Sequence, residues 1–430
     1  MPLRAQGAGR DVSPVVELRG GHWFTGHGFM SGSRWMQNGR FRPRPRTRAD
    51  SVVSLDGQWI VPPYADAHTH SPDGMFGFDG IRDMYLTEGV FYVQVLANHR
   101  SGRLALTGKV NTPGSIDVVF ADGAVTSTGG HPQVLYEALA LFRTPGGTPE
   151  QRQRAARSLS QDGDVYHRLD SLSQLPALVT RLRRDSVPLL KIMVLDGDHY
   201  AALAADTLAV GMRGLSREVL KPLVDSAHAM GRRVWAHIET ARDFELALDA
   251  GVDGFAHVPG YGVAFDTAAT RVRFRLSAAV AARAGARQVV VSPTLGLSRE
   301  ITQHDSAARR RAEDIAVANV RLLRRSGARI VTGSDTYSSA EAMRNDVAAL
   351  QAALTLTPLE ILRVRAIDTP RAIFPGRDIG VLLPSHEASL LALQCNPLVD
   401  TRCQGQITRR LKQGQWLSLA LQAGAGAQRR

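Results

Sequence analysis

Cysteine is almost missing from this 430-residue chain, which has only Cys395 and Cys403. So small a number excludes a disulfide framework and a zinc ribbon. The short stretch between the two would permit a local loop closure, but two free thiols are the expected state. Lysine is scarce as well: Lys109, Lys191, Lys221 and Lys412 are the four among 52 cationic residues. Arginine supplies plain positive charge almost everywhere else. No uninterrupted apolar stretch is long enough to span a bilayer, so membrane insertion is not expected. The segment from Met1 to Pro14 has basic residues but no apolar run behind them, and does not read as a secretory signal. A cytoplasmic location is expected, or a periplasmic or secreted one if a leader has been removed. There is no Gly-x-Ser-x-Gly elbow and no Gly-rich phosphate loop after the first predicted strand.

The composition, 44% hydrophobic and 21% charged, is that of an ordinary globular protein. The net charge of +12 raises the question of nucleic acid. The arginines are scattered rather than gathered on one face, and no nucleic-acid-binding motif accompanies them, so no such partner is expected. The densest run, Arg40, Arg42, Arg44, Arg46 and Arg48, alternates and would lie on one side of an extended strand or hairpin.

Short strands with turn signals fill residues 15–60, including Asp56-Gly57 between apolar strands. Strand-like segments recur at 388–393 and 415–419. The economical reading is one β-sandwich built from both ends, 12–60 plus 379–420, with flexible tails at 1–11 and 421–430. Residues 61–378 alternate short apolar strands with amphipathic helices, the pattern of parallel strands with helical crossovers. Candidate strands are 60–67, 90–96, 116–121, 189–195, 233–237, 254–258, 288–292 and 329–332. Eight strands in that length suit a (β/α)8 barrel with insertions, mainly within 97–190. An open doubly wound sheet is the rival.

In such a barrel the C-terminal strand tips share one face, where chemistry occurs. The first strand ends Asp66-Ala67-His68-Thr69-His70, and alternation puts both imidazoles on one side. The fifth ends in His237, the sixth in His257 and the eighth in Gly333-Ser334-Asp335. Four imidazoles and a carboxylate recurring at successive tips suit a borderline divalent metal such as zinc. Lys191 sits inside the apolar fourth strand, where an ammonium is costly. It either pairs with a carboxylate such as Asp196 or loses its proton and reacts with CO2. The resulting carbamate would be an anionic, two-oxygen ligand able to bridge two ions, which arginine cannot form.

These residues resemble the amidohydrolase superfamily, and within it the imidazolonepropionase and Xaa-Pro dipeptidase (prolidase-like) group. Ala236-His237-Ile238-Glu239, Ala256-His257-Val258-Pro259-Gly260 and Glu387-Ala388-Ser389-Leu390 carry the narrower likeness. The resemblance implies two divalent ions, Zn2+ with Mn2+ or Co2+ as alternatives. His68, His70 and Asp335 would hold the more buried ion, His237 and His257 the outer one, and carboxylated Lys191 would bridge them. It implies hydrolysis of a carbon–nitrogen amide-type bond (peptide-like, N-acyl or cyclic amide) in a small-molecule substrate, with Asp335 moving the proton. Deaminases of this superfamily place a glutamate three residues after the fifth-strand histidine. Here Thr240 stands there, with Glu239 one residue earlier. His131 would stabilise an oxyanion or hold a carboxylate, and Tyr200 and Tyr261 would contact substrate. His99, Arg213 and Arg299 are further candidates for contact. The alternatives are lactone, carbamate or phosphotriester hydrolysis at the same site, or a non-catalytic scaffold that kept the barrel. A homo-oligomer is left open.

Overall fold

The computed structural model describes residues 13–73, 77–144, 147–206, 209–260, 272–297 and 306–418. The tails expected at 1–11 and 421–430, and the candidates Tyr261 and Arg299, lie outside them. The chain divides into two compact units, one of residues 1–63 with 377–430 and one of 64–376.

The first unit holds a four-stranded and a six-stranded sheet. Strands from the two chain ends pair directly: Leu390–Leu393 runs antiparallel to Trp59–Val61. Leu18, Trp23, Met36, Phe41, Ile60, Leu390 and Leu411 share its apolar core. The arginine run does not form one continuous face. Its strand is Arg40–Arg42, and residues 43–50 lie outside any strand. Pro43 and Pro45 have no N–H to give a ladder. Arg44 instead lies over the Trp35 ring, 5.6 Å from its centroid. The expectation of free thiols is also corrected: Cys395 and Cys403 form a disulfide, with their Cα atoms 5.4 Å apart.

The second unit is mixed α/β with parallel strands, as the alternating pattern implied. Seven strands line up in one sheet: Tyr166–Arg168, Ala124–Thr126, Leu189–Val194, Arg233–Ile238, Gly254–Ala256, Val290–Ser292 and Arg329–Ile330. Three more form a second sheet: Asp117–Phe120, Val90–Val95 and Tyr64–Thr69. A short connection from Phe120 to Ala124 links the sheets on one side. On the other, Ala67 N donates to Thr332 O (2.9 Å), Asp335 N to His68 O (2.6 Å) and His70 N to Thr336 O (2.9 Å). The expected third strand, 116–121, is present as Asp117–Phe120, and a separate strand not expected from the sequence, Ala124–Thr126, follows it after a turn. Buried Asp122 takes a left-handed φ of +55°, and its carboxylate accepts from Asn98 (3.1 Å) and Arg103 (2.7 and 2.9 Å).

Strand alternation decides what faces inward. Leu190, Ile192 and Val194 join Val234, Ala236 and Ile238 in the apolar cluster under the helices. Helix Arg217–Ala229 adds Leu220, Leu223, Val224 and Ala227 to it. Each such buried aliphatic side chain stabilises by about 1.5–3 kcal/mol. The period of two then sends Lys191, Met193, Trp235 and His237 to the opposite face, with Lys191 in register with Trp235 and Met193 with His237.

The disulfide gives a direct expectation. Denatured without reductant, the protein should take up no alkylating agent, and after reduction it should take up two equivalents by mass. Cys403→Ser should cost about 2–3 kcal/mol by the loop-closure argument, read in chemical denaturation. Two alkylated thiols before reduction would restore the free-thiol reading.

Candidate metal centre

The strand ends are locally strained in a regular way. Ala97, Asp122, Asp196, His257, Thr294 and Asp335 each follow a strand, and all have φ between +48° and +76°. Non-glycine residues in this region are uncommon, and a β-branched one such as Thr294 is an outlier. The turn they impose re-aims side chains across the strand ends.

Asp335 stands among the imidazoles. Its Oδ1 is 3.0 Å from His70 Nε2 and 3.3 Å from His68 Nε2, and its Oδ2 is 3.7 Å from His257 Nε2. The ring centroids of His68 and His257 are 4.9 Å apart, those of His257 and His237 4.8 Å, and those of His237 and His131 5.0 Å. His68, Lys191, His237 and His257 are buried. Burial lowers the pKa of His68 and His257 well below the ordinary value and brings His131 and His237 to about 3. Their rings are neutral at pH 7, the form that binds metal. Burial also brings the Lys191 amine down to about 7, against the opposing pull of Asp335. The alternative partner for Lys191 is taken: Asp196 is paired with Arg273 at 2.6 Å.

Second contacts set ring orientation. His70 Nδ1 lies 3.1 Å from Ala97 O, and a carbonyl can only accept, so Nδ1 carries the hydrogen and donates. His70 Nε2 then faces an acidic oxygen at 3.0 Å, an arrangement that a shared cation makes favourable. His257 Nδ1 is held by Thr294 Oγ1 at 2.7 Å, leaving Nε2 directed at Asp335. His68 Nδ1 is buried with no hydrogen-bond partner. Ligands oriented through the far ring nitrogen are the usual construction of a metal site. Among the described residues, His68, His257 and Asp335 form a set whose ligand atoms all lie within 4.8 Å of one another. These residues fit a divalent cation.

Of the eight expected site residues on described segments, all but Tyr200 line one cavity of about 330 Å3: His68, His70, His131, Lys191, His237, His257 and Asp335. Tyr200 is not among its walls. Its hydroxyl donates to Asp170 at 3.2 Å, and Arg213 lies over its ring while donating to the Thr128 and Leu203 carbonyls. His99 is drawn aside to Asp73, 3.4 Å away. Thr240, at the position where deaminases carry a glutamate, caps the helix Ala241–Ala250. Its hydroxyl accepts from Asp243 N at 3.0 Å and donates to Asp243 Oδ2 at 2.8 Å.

Sequence reasoning missed several contributors. Tyr337 stacks on His70 at 5.0 Å, and Tyr136, Leu135 and Leu297 complete the cavity wall. Asp66, in the first-strand motif, accepts from Ser334 Oγ (2.5 Å), Ser334 N (3.1 Å) and His68 N (3.1 Å), and so ties the Asp335 loop to the first strand. Gly333 makes that approach possible: a Cβ there would meet His68 Cβ at 2.8 Å and His68 N at 2.9 Å. Below it, buried Asp346 accepts from Gly333 N (3.1 Å) and Gly296 N (3.4 Å).

No family model matches the sequence. Two uncharacterized proteins, one of Mycobacterium tuberculosis and one of Mycobacterium bovis, are each 28% identical over 239 residues, 55% of this chain and 53% of the relative. The chain thus matches about half the length of these curated relatives. Solved structures agree over nearly the whole chain. An amidohydrolase superposes with a TM-score of 0.71 at 18% identity, covering 95% of this chain and 100% of its own. The A. niger ochratoxinase gives 0.70 at 17%, covering 94% and 96%. A prolidase complexed with N-methylphosphonate-L-proline gives 0.68 at 18%, covering 94% and 100%. At such identities the agreement is one of fold.

Burial pushes the Asp346 carboxyl up to about 7 from 3.8, against its hydrogen bonds to backbone N–H groups. An acid raised in this way is neutral in the fold while already ionised in the unfolded chain. Stability is therefore lost as pH climbs from about 4 to about 7, at about 1.4 kcal/mol per pH unit in that window. Asp346→Asn removes the titration. Its melting temperature relative to wild type should rise between pH 4 and pH 8; a difference that stays flat would show that Asp346 is ionised throughout.

Proposed function

We propose that this chain, which has the fold of solved amidohydrolases and prolidases, is a metal-dependent hydrolase of amide-type carbon–nitrogen bonds in small molecules. The observation that carries the reading is Asp335, held by the strand ends against three imidazole nitrogens with the Lys191 amine buried in the same cavity. We read the two parallel sheets of the second unit as one closed (β/α)8 barrel. The backbone hydrogen bonds between the first strand and the segment after the last one support this. We read residues 12–60 with 379–420 as a composite β-sandwich and 61–378 as the catalytic domain.

Two divalent ions are assigned, with zinc the first choice and manganese or cobalt the alternatives. His68, His70 and Asp335 would hold one, and His237 and His257 the other. Lys191 would bridge them as a carbamate: its neutral amine adds to CO2, forming an N–C bond and releasing one proton. Its lowered pKa supports a neutral amine near pH 7. Such ions, when bound, activate a water and polarise the scissile carbonyl.

The chain's own groups do the rest. Asp335 accepts the proton of the attacking water and returns it to the leaving nitrogen. His131, neutral and beside His237 on the cavity wall, presents an N–H to the oxygen on which negative charge develops. Asp66 and Ser334 keep Asp335 in place. Thr240 supports a hydrolase over a deaminase, because its hydroxyl is committed to capping a helix.

Protein purified with added zinc should contain two equivalents by elemental analysis. It should cleave members of a panel of N-acyl amides and dipeptides, with lactones and aryl phosphotriesters as contrasts. Asp335→Asn should lower kcat by about 10²–10⁴-fold. Lys191→Ala should lose metal and at least about 100-fold in kcat/KM, together with the carbamate carbon signal seen by NMR after growth in 13C-bicarbonate. A protein that retains no metal and hydrolyses nothing on metal addition would be the scaffold instead.

A further inference from the structure

Resting on that two-ion reading, we infer that Glu239 is a further metal ligand, a carboxylate for the ion assigned to His237. The first strand, Tyr64–Thr69, brings two side chains to the site at a spacing of two, and the second of them, His70, lies one residue past the strand end. Strand Arg233–Ile238 repeats the construction. Trp235 and His237 share a face, while Ile238 turns to the apolar cluster under the helices. Glu239 lies one residue past this strand end and returns to the face of His237. Its backbone is fixed from both sides. Its carbonyl accepts from Gly260 N (3.3 Å), and the next residue, Thr240, caps the helix Ala241–Ala250.

The separation decides what the pair can do. Glu239 Oε1 stands 3.8 Å from His237 Nε2, too far for a hydrogen bond. It suits two donors that share one ion. Zinc bonds of about 2.0–2.2 Å set two donors roughly 3.4 Å apart at a tetrahedral ion and roughly 3.6 Å apart at an angle of about 120°. The pairs around Asp335 span the same range, at 3.0 Å to His70, 3.3 Å to His68 and 3.7 Å to His257. Asp335 thus serves three imidazoles, and Glu239 faces the fourth. The Glu239 side chain is 37% exposed against 7% for His237, so it reaches the site from the solvent side. The ion it holds is the one nearer water. Asp196 and Arg273, whose charges also act on Glu239, pair with each other at 2.6 Å.

Metal content and affinity test this in the full-length protein, loaded with zinc and dialysed. Wild type should hold two equivalents by elemental analysis. Glu239→Gln, of the same size but a far weaker ligand, should hold one, and Glu239→Ala likewise. Titrated against a chromophoric chelator, the second equivalent should bind the variants at least about 100-fold more weakly, beyond the loss expected for a residue that only orients a ligand. The first equivalent should be unchanged. With cobalt in place of zinc, the visible absorption added by the second equivalent should be altered or lost in both variants. The metal-free proteins should melt alike, which separates lost ligation from lost fold. Two equivalents of unchanged affinity in the variants overturn the inference while leaving the two-ion hydrolase standing. So does a lower metal-free melting temperature with metal affinity intact, which would assign Glu239 to the Asp196 and Arg273 charge cluster. A wild type that holds one equivalent or none overturns the two-ion reading and the inference with it.

Discussion

One carboxylate held against three imidazole nitrogens is the constraint around which the second unit is organised. Asp335 is only slightly exposed, and burial holds His68 and His257 neutral. An anion facing neutral rings gains little from them unless a cation lies between. Lys191 can supply charge only at the cost of its own desolvation, which draws its amine down to about 7. Neither group compensates the other as a simple buried ion pair would. The divalent ions proposed for this site would remove the conflict at once, because they would turn the facing lone pairs into ligands.

Holding such a set requires rigid geometry, and the backbone provides it through strain. Left-handed residues at six strand ends each cost roughly 1–2 kcal/mol relative to relaxed backbone. They persist because neighbours over-determine them. His257, itself left-handed, is fixed through Nδ1 by Thr294, also left-handed. Asp335 is fixed from behind by Asp66 through Ser334 and His68, and the loop bearing it rests on Asp346 through Gly333. The positions that carry charge are thus the ones with least freedom to relax, as pre-organised electrostatics requires.

Much of this was legible in the sequence because strand periodicity is local. Alternation alone places His68 with His70, and an apolar run around Lys191 marks a buried amine. What was hidden depends on partners distant in the chain. The extra strand Ala124–Thr126 follows a turn held by Asp122 meeting Asn98 and Arg103. Tyr337 comes to the cavity through stacking on His70, some 270 residues earlier in the sequence, and Tyr136 by the docking of its helix. Asp66 was visible within the motif, but its role appears only once Ser334 is seen to donate to it. The arginine run misled because alternation was weighed above the missing N–H groups of Pro43 and Pro45. The disulfide was the less favoured of two readings because cysteine scarcity argues about frameworks and not about a single short loop.

Burial and the proposed catalysis have one physical origin. The imidazoles share their cavity with Leu135, Tyr136 and Leu297, and electrostatic interactions among buried groups are screened less than in solvent. In the proposed reaction, charge that develops at a place already faced by a fixed donor, such as the His131 N–H, would be stabilised strongly. The wall need not contact the reacting atoms to take part. By keeping the dielectric low it would amplify the influence of Asp335 and His131 on the proposed transition state.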